Sequence, residues 1–481
     1  MSRQVLDSAR NRILSLLDQS SFVEIGALIT KRNTDFNLFE KEVPSDGVIT
    51  GYGLISGKPV YVYSQDASAL NGTIGEMHAK KIVAIYDLAL KVGAPVIGLL
   101  DCAGFRLQEA TDALASFGEV YLKQTLASGV IPQITAIFGS CGGGVAISSS
   151  LSDFTFMEEK EAKLFVNAPN TIENNYIEKC NTSSSFYQAQ VGVIDGRGTE
   201  EDILTNIREL VSLLPSNNTE NALSDCQDDL NRESHSLNDI LEDPSLVLTE
   251  IADYNKFFEL KKEYAKDMVI GFLTLDGATV GAIANRSIVY KNGKKDEVFE
   301  TTLSTDGCNK AADFINFCDA FQIPIITFTN VTGYKATIEG EKTIAKAVAR
   351  LTYAFSNASV PKINVIVGKA YGSSYITMNS KHIGADLVFA YPDASIGTMD
   401  AKNAVKIMYA EEINTAADPL SFISDKTKEY EALSNSAISA AKRGYIDQMI
   451  EPKDTRKQLI YAIDMLYGKR EYRPSKKHGT V

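Results

Sequence analysis

Two glycine-rich turns are the segments of this sequence best suited to chemistry, because they can expose backbone N–H groups. Residues 139–144 read Gly-Ser-Cys-Gly-Gly-Gly, and residues 368–375 read Gly-Lys-Ala-Tyr-Gly-Ser-Ser-Tyr. Each turn follows an apolar run typical of a buried strand and stands where a helix would begin. Glycine lets a ligand approach the backbone, and the free amides at a helix start attract negative charge. Two such amides converging on a thioester oxygen would form an oxyanion hole.

Two further turns occupy matching places in the chain. Residues 101–106 read Asp-Cys-Ala-Gly-Phe-Arg, and residues 330–334 read Asn-Val-Thr-Gly-Tyr. Both follow apolar runs, and active-site loops of α/β sheets lie beyond the carboxyl ends of strands. The Arg106 guanidinium is expected to pair either with a ligand phosphate or with Glu109.

Side chains of the usual catalytic types are scarce. Of the four histidines, His78 and His382 are interpreted as structural residues on helices, while His235 lies in an acidic stretch and His478 in a basic tail. The sequence has no GxSxG elbow, no zinc-ligand spacing and no GxxxxGK[ST] loop. We therefore expect no metal site and no nucleoside triphosphate site.

The turns belong to a duplicated sequence. Five residues of the first half, used here as landmarks, recur in the second half at one constant offset. Residues 51–57 and 271–277, which precede the landmarks, show a looser similarity at a different offset. The landmark pairs, whose residue numbers always differ by 229, are Pro95 and Pro324, Gly104 and Gly333, Pro132 and Pro361, Gly139 and Gly368, and Gly143 and Gly372. The shared register indicates an internal duplication.

Each half alternates apolar strands with amphipathic helices, which predicts α/β architecture. Strands are predicted at 48–54, 60–64, 96–100 and 134–138, and at 268–275, 279–284, 325–328 and 363–367. The predicted helices bury Ile82, Ile85, Tyr86 and Ala89 in the first half, and Ala311, Phe314, Ile315 and Cys318 in the second. Residues 215–244 hold eight acidic residues and one arginine, which indicates a solvated connector or a surface helix. We place the domain boundary at residue 225.

Composition narrows the classes of function. The 481 residues carry a formal net charge of −13, which argues against general nucleic-acid binding. The six cysteines include no CxxC pair, as expected of reduced thiols. No apolar run reaches membrane-spanning length. We expect a cytoplasmic protein of two domains without direct membrane insertion.

Nearly the whole sequence resembles the biotin-dependent carboxyltransferases, and its motifs occur in the same order as theirs. This family includes the β subunits of propionyl- and acetyl-CoA carboxylases, the transcarboxylase large subunit, and the α subunits of glutaconyl- and methylmalonyl-CoA decarboxylases. The matching segments of the first half are residues 51–57, 64–66, 75–76, 91–98, 127–132, 139–144 and 214–218. Those of the second half are residues 318–321, 360–362, 369–372, 380–382, 401–402, 443–447 and 477–479.

The resemblance implies two tandem crotonase-like domains of the ββα-superhelix type, with residues 1–225 binding the acyl-CoA and residues 226–481 binding biotin. A carboxyl group would move between carboxybiotin and an acyl-CoA of the propionyl- or acetyl-CoA class. Matching by position assigns the amides of Gly143 and Gly144 to the thioester enolate, and those of Ser373 and Ser374 to the biotin oxygen. The binding residues around them would be Gly104, Phe105, Arg106, Gly142, Gly333, Tyr334, Gly372 and Ile376.

The resemblance also implies partners and an assembly. No biotinylation site of the Ala-Met-Lys-Met type occurs, so biotin is expected on a partner protein. The partners would be a biotin carboxyl carrier protein and a biotin carboxylase, or the membrane subunits of a decarboxylase. Active sites between halves of different subunits imply a dimer-based homo-oligomer, up to a hexamer.

The sequence departs from the family pattern at four places. Ser373 and Ser374 stand where the family usually has Gly-Ala, and Thr332 replaces a proline. Between residues 167 and 192 the usual His-containing loop is shortened and divergent. Ile376 replaces an acidic residue of some propionyl-specific relatives. A shifted acyl preference is therefore a hypothesis.

Three alternatives stay open. The first is the α subunit of a sodium-pumping acyl-CoA decarboxylase, which uses the same chemistry in reverse. The second is a crotonase-type enoyl-CoA hydratase or isomerase, which needs a carboxylate base near the first glycine turn. The third is an inactive scaffold subunit. Because an amide is lost, Gly143→Pro is expected to abolish turnover and leave folding largely intact.

Overall fold

The structure of the chain is a computed structural model that describes residues 3–33, 43, 45–474 and 476. It divides into two compact units, Met1–Ala222 with Lys261–Tyr264, and Leu223–Leu260 with Ala265–Val481. The division at residue 222 is close to the boundary expected at residue 225. His478 and the motif at 477–479 lie outside the described residues.

In its described residues, the first unit is built on one mixed sheet of eight strands. Its strands are β1 Val23–Ile25, β2 Val48–Ile55, β3 Lys58–Gln65, β4 Val96–Cys102, β5 Gln133–Gly142, β6 Phe154–Glu158, β7 Lys163–Phe165 and β8 Gly196–Gly198. Its helices are α1 Arg3–Leu16, α2 Glu76–Val92, α3 Ala110–Ala127, α4 Gly144–Ser150, α5 Asn175–Glu178, α6 Ser185–Gln190 and α7 Glu200–Leu213. The strand order is β1-β2-β3-β4-β5-β6-β8, and β7 pairs with the end of β5.

The second unit repeats this sheet. Its strands are β9 Phe257–Leu260, β10 Met268–Leu275, β11 Ala278–Asn285, β12 Ile288–Lys291, β13 Lys294–Val298, β14 Thr302–Leu303, β15 Ile325–Val331, β16 Gly333–Tyr334, β17 Lys362–Tyr371, β18 Leu387–Ala390, β19 Ser395–Gly397 and β20 Gln448–Met449. The order β9-β10-β11-β15-β17-β18-β20, with β19 on β17, matches the first sheet strand by strand.

The helices of the second unit connect and cover these strands. They are α8 Leu237–Ile240, α9 Pro244–Ile251, α10 Thr305–Ala320, α11 Ile338–Glu341, α12 Ile344–Asn357, α13 Gly372–Thr377, α14 Ala401–Met408, α15 Ala410–Thr415, α16 Pro419–Tyr430, α17 Ala437–Lys442 and α18 Thr455–Leu466. No helix in the described part of the chain has the length and apolar content needed to cross a membrane.

The duplication extends to the hydrogen-bond register of the central strands. Val96 of β4 lies opposite Gln133 of β5, and at the same offset in residue number Ile325 of β15 lies opposite Lys362 of β17. All eight predicted strands fall within observed strands. The predicted apolar faces of α2 and α10 are confirmed, since every residue named for them is at most 4% exposed.

The antiparallel hairpins repeat with a shorter offset. Val48 pairs with Gln65 in the first unit, and Met268 pairs with Asn285 in the second, so that the residue numbers differ by 220. The second half therefore holds nine more residues, 229 minus 220, between this hairpin and the next central strand. The β12–β13 hairpin lies in this interval, so the added residues leave the central register unchanged.

Glycine recurs at Gly51 and Gly271 for a steric reason. A Cβ at either position would come within 2.2 Å of a carbonyl oxygen of the edge strand, that of Val23 or of Phe258. Each sheet can receive its edge strand only because no side chain stands there. The sequence similarity between residues 51–57 and 271–277 thus marks the same packing requirement in both units.

The connector is less solvated than its composition suggests. Leu237 is fully buried, and Ser234 is 1% exposed. The Arg232 guanidinium donates to the carbonyls of Glu250 and Ala252 at 2.7 and 2.9 Å. The expectation of a solvated connector is therefore correct only for its exposed acidic side chains, because its backbone is anchored to the second unit.

Candidate functional site

The first glycine turn lies at the junction of β5 and α4. Gly143 has φ 60° and ψ −123°, a conformation that L side chains rarely adopt and glycine adopts readily. Gly142 also excludes a side chain, because a Cβ there would come within 2.8 Å of the Phe165 ring. The tight turn therefore depends on this pair of glycines.

The two amides predicted as oxyanion donors differ in their surroundings. The Gly143 amide donates to the Phe165 carbonyl at 2.9 Å and so extends the ladder between β5 and β7. A ligand oxygen would have to share this N–H group or displace Phe165. Gly144 is the first residue of α4, where a helical amide has no intrahelical acceptor. Of the predicted pair, Gly144 is thus the readier donor.

This bond also corrects one mutational expectation. Proline cannot donate to the Phe165 carbonyl, and its ring fixes φ at about −65°, whereas Gly143 has a φ of 60°. The expectation that Gly143→Pro leaves folding largely intact is wrong, because the substitution breaks both the ladder and the turn.

Aromatic side chains form one wall beside this turn. The Phe105 ring, 37% exposed, packs on Phe117 with 4.4 Å between ring centroids. Phe117 would lie 3.0 Å from a Cβ on Gly144, and the Tyr121 hydroxyl donates to the Gly144 carbonyl at 2.6 Å. Phe105 and Gly144 therefore both lie beside Phe117. Phe117 and Tyr121, which lie one turn apart on α3, are site neighbours that the turn motifs did not reveal.

Gly104 joins the two turns of the first unit. Its φ of 113° again favours glycine, and a Cβ there would lie 3.8 Å from the Gly142 carbonyl oxygen. The predicted residues Gly104, Phe105, Gly142 and Gly144 are thus neighbours in space.

Arg106 does not face a ligand. Its side chain is fully buried, and its guanidinium pairs with the carboxylates of Asp46 and Glu109, the latter at 3.0 Å. It also donates to the Thr73 carbonyl at 2.7 Å. The prediction that Arg106 binds substrate is wrong, and the alternative pairing with Glu109 is confirmed.

The two carboxylates beside Arg106 cap helix α2. Asp46 accepts the His78 amide at 2.8 Å, and Glu109 accepts the Glu76 amide at 2.6 Å. Carboxylates are favourable at a helix N-terminus, and Arg106 compensates their buried charge. Asp46 lies far before Arg106 in the chain, so no local motif predicted this group.

His78 is confirmed as a structural residue. Its Nδ1 lies 2.9 Å from the Asp46 carbonyl oxygen, and its Nε2 lies 3.2 Å from the Gln65 amide nitrogen. Burial, with the nearby Arg106 charge, lowers the pKa of His78 to about 3. The imidazole is therefore neutral at physiological pH. Among the described residues, no cluster of three or more His, Cys, Asp or Glu side chains could hold a metal ion.

The second glycine turn lies at the junction of β17 and α13. Gly372 begins α13 with a φ of 59°, almost the same value as at Gly143. Tyr334 lies beside this turn, because its hydroxyl donates to the Ser373 hydroxyl oxygen at 2.9 Å. Gly333 leaves open space, since a Cβ there would meet no atom within 4 Å. Ile376, on the same helix, is 39% exposed.

His382 packs among aromatic rings close to this turn. Its ring lies edge-on to Tyr375 and to Tyr445, with centroid distances of 6.0 and 4.8 Å. His382 is exposed and lies on the short 3₁₀ turn Lys381–Ile383, and its structural role stays a prediction. The Tyr375 hydroxyl is buried without a hydrogen-bond partner among the described residues.

Comparison with known proteins finds a family model and several curated proteins that match this chain. The family model for the carboxyl transferase domain matches residues 6–481. The methylmalonyl-CoA decarboxylase subunit alpha of Propionigenium modestum is 39% identical over 492 residues, covering 98% of this chain and 93% of its own. The propionyl-CoA carboxylase carboxyltransferase subunit of Haloferax mediterranei is 39% identical over 488 residues, with the same coverage.

A solved structure shows the same fold. The transcarboxylase 12S structure, determined with methylmalonyl-CoA and methylmalonic acid bound, superposes with a TM-score of 0.91 at 35% identity. The match covers 98% of this chain and 91% of that one. The similarity therefore extends over both units.

Proposed function

Because the chain belongs to the carboxyl transferase family, we propose that it moves a carboxyl group between biotin and an acyl-CoA of the propionyl-CoA and methylmalonyl-CoA class. The observation that carries this proposal is the full-length match to enzymes named for these two thioesters. The bound methylmalonyl-CoA of the transcarboxylase 12S structure supports the same substrate class.

The main predictions from the sequence about family, fold and activity are confirmed. The family, the duplicated crotonase-like fold and the acyl-CoA carboxyltransferase activity with biotin and CoA thioesters agree with the relatives and with the solved structure. The assignment of acyl-CoA to the first unit and of biotin to the second remains a proposal. The donor residues of each unit also remain proposals.

The first unit suits a thioester whose oxygen gains negative charge. The Gly144 amide would donate to this oxygen, with the Gly143 amide as a second donor if its bond to Phe165 is shared. A hydrogen bond to a developing charge contributes more than one to a neutral carbonyl. The ring of Phe105 would exclude water from one side of the same oxygen.

The second unit suits the ureido group of biotin. The amides of Ser373 and Ser374 are the proposed donors to its oxygen, and the open space at Gly333 leaves room beside them. When bound, biotin carries the carboxyl group and supplies the base, which fits the small number of histidines in the sequence. The protein's own residues would hold the reacting groups and stabilise charge.

Decarboxylation with free biocytin tests this function without a partner protein. Malonyl-, methylmalonyl- and glutaconyl-CoA are each incubated with the protein, and released CO₂ is measured with and without biocytin. We expect biocytin to stimulate CO₂ release from methylmalonyl-CoA most strongly. Release that biocytin does not change for any of the three thioesters would contradict the proposal. Hydration of a 2-enoyl-CoA without biotin would instead support the hydratase alternative.

A second candidate function is the α subunit of a sodium-pumping decarboxylase. It is favoured by the Propionigenium modestum relative, whose identity of 39% equals that of the carboxylase subunit. The two functions differ in partner. Co-purification of the natural complex with a membrane subunit would support the decarboxylase, whereas co-purification with a biotin carboxylase would support the carboxylase.

We also propose a homo-oligomer, in the cytoplasm, that receives biotin on a carrier protein. Helix α3 exposes the side chains of Leu114, Leu122 and Leu126 by 55–56% each. Exposed apolar side chains in one row are typical of a protein interface. The related transcarboxylase 12S protein assembles as a hexamer. Sedimentation velocity is expected to show dimers or hexamers, and a monomer at micromolar concentration would contradict this assembly.

A further inference from the structure

Two neighbouring serines in the second glycine turn use their hydroxyl groups differently. Ser374 is 1% exposed, and its hydroxyl donates to the Tyr371 carbonyl at 2.8 Å. Ser373 is exposed, and its hydroxyl oxygen accepts a hydrogen bond from the Tyr334 hydroxyl at 2.9 Å. Ser374 therefore supports the turn internally, whereas Ser373 faces outward.

The direction of the Tyr334 bond leaves the Ser373 proton available. A serine hydroxyl carries one donor and two acceptor lone pairs. Because Tyr334 donates, the Ser373 hydroxyl uses a lone pair and keeps its own proton for another acceptor. Among the described residues, no protein group accepts that proton. A donor that itself accepts a hydrogen bond is also strengthened by it.

Backbone hydrogen bonds hold Tyr334 in the position from which its hydroxyl donates to Ser373. Tyr334 belongs to β16, whose register places it opposite Leu303 of β14. The following residue, Lys335, donates its amide to the Leu303 carbonyl at 2.9 Å. The ring is thus anchored by a strand pair, and its hydroxyl reaches Ser373 from outside α13.

The internal duplication shows that this hydroxyl pair is specific to the second unit. The constant offset of the repeat relates Tyr334 and Ser373 to Phe105 and Gly144, which are also neighbours in the structure. That pair has no hydroxyl group. The same two positions are therefore apolar in one unit and hydrogen-bonding in the other.

We propose that the Ser373 hydroxyl is an additional donor to the ureido oxygen of biotin, and that Tyr334 is the positioning residue that orients it. This inference rests on the proposed function, which places biotin at the second glycine turn. The oxygen would receive the Ser373 hydroxyl together with backbone amides of the turn. Ser373 is a catalytic residue in this proposal because it touches the group that gains negative charge.

Single and double variants test the proposal, with Ser421→Ala, at an exposed serine of helix α16, as the matched control. The variants are Ser373→Ala, Tyr334→Phe and the double variant. Biocytin-dependent decarboxylation of methylmalonyl-CoA gives kcat and the KM for biocytin, and calorimetry gives the Kd of free biotin. Thermal melting is recorded for every variant, so that a folding defect is recognised.

We expect Ser373→Ala to lower kcat/KM for biocytin by about 10- to 100-fold, the usual effect of one hydrogen bond to a developing charge. The Kd of biotin should rise by a smaller factor, because the charge develops only during reaction. Tyr334→Phe should reduce kcat/KM by about 3- to 10-fold in the wild-type background and have no effect when Ser373 is already alanine. Ser421→Ala should leave the kinetic parameters near those of wild type.

Two results would overturn the inference while the wild-type protein remains active with biocytin. One is a Ser373→Ala variant with the kcat/KM and the biotin Kd of the Ser421→Ala control. The other is a Tyr334→Phe loss that persists unchanged in the Ser373→Ala background, which indicates a structural role for the ring. Failure of the proposed function is recognised differently, as wild-type protein that neither responds to biocytin nor binds biotin.

Discussion

The Asp101 carboxylate and the Asn330 carboxamide occupy equivalent positions in the two units. Asp101 accepts the Ser140 amide at 3.3 Å, and Asn330 accepts the Lys369 amide at 3.0 Å. Each side chain lies against the glycine that precedes its donor. A single geometry is thus held by a charged group in one unit and by a neutral group in the other.

Exchanging these two residues tests which unit tolerates the charge. Burial raises the pKa of Asp101, and the nearby Arg12 charge opposes this shift. Asp101→Asn keeps the shape and the bond to Ser140, so we expect the free energy of unfolding to stay within about 1 kcal/mol of wild type. Asn330→Asp should cost about 2 kcal/mol or more, because it introduces a partly buried charge. Urea unfolding measures both, and a larger cost for Asp101→Asn would contradict the assignment.

Removing Arg106 should strongly destabilise the first unit. Arg106→Met leaves the buried carboxylates of Asp46 and Glu109 without their cation, a change that typically costs about 3–5 kcal/mol. The control is Arg32→Met, because Arg32 pairs with Glu76 and Asp112 at the surface, where such pairs contribute about 1 kcal/mol or less. Equal losses in urea unfolding would show that the buried group does not stabilise the fold.

Ala110 is strained and should be improved by glycine. It has φ 47° and ψ −123°, a conformation that costs a non-glycine residue about 1–3 kcal/mol. Ala110→Gly should therefore raise the free energy of unfolding by about 1 kcal/mol. This is the relief of strain reduced by the additional conformational entropy that glycine loses on folding. Ala113→Gly, inside the same helix and buried, should lower it by about 1 kcal/mol. A destabilising Ala110→Gly would contradict the strained geometry.

Asp153 should make the stability of wild-type protein depend on pH. Burial, with a smaller contribution from Asp195, raises the pKa of Asp153 from 3.8 to about 7. The folded state then binds a proton that the unfolded state releases, so this residue stabilises the fold at acidic pH. That contribution declines as the pH rises from about 4 to 7, by up to about 4 kcal/mol.

Asp153→Asn removes this contribution to the pH dependence. The carboxamide oxygen can still accept the Gln133 amide, which donates to Asp153 at 2.8 Å in the wild type. We expect the variant to lose less stability than wild type between pH 5 and pH 8, as measured by urea unfolding. Parallel curves for the two proteins would show that Asp153 does not titrate in this range.

The structural features that occur in both halves could be predicted from the sequence. Landmarks such as Pro95 and Pro324 start strands whose register is the same in both units, because a proline before an apolar run marks a strand start in each copy. The same comparison identified the two glycine turns at Gly143 and Gly372. Repetition separates a structural requirement from chance, which a single strand or turn does not.

Contacts between distant segments were not predictable in this way. Asp46, the partner of Arg106, lies on another segment, and the acceptor for the Gly143 amide lies on β7. Neither contact produces a periodic pattern or a local motif. The donor assignment and the interpretation of Arg106 depended on such contacts, and for this reason they required the structure.

The β12–β13 hairpin has a practical consequence. Its tip at Asn292 and Gly293 has positive φ angles, and a Cβ on Gly293 would meet no atom within 4 Å. Since this interval lengthens the chain without shifting the central strands, it is a suitable place to insert an affinity peptide. Such a tag would allow the complete enzyme to be isolated with its native subunits while both chain termini are left unaltered.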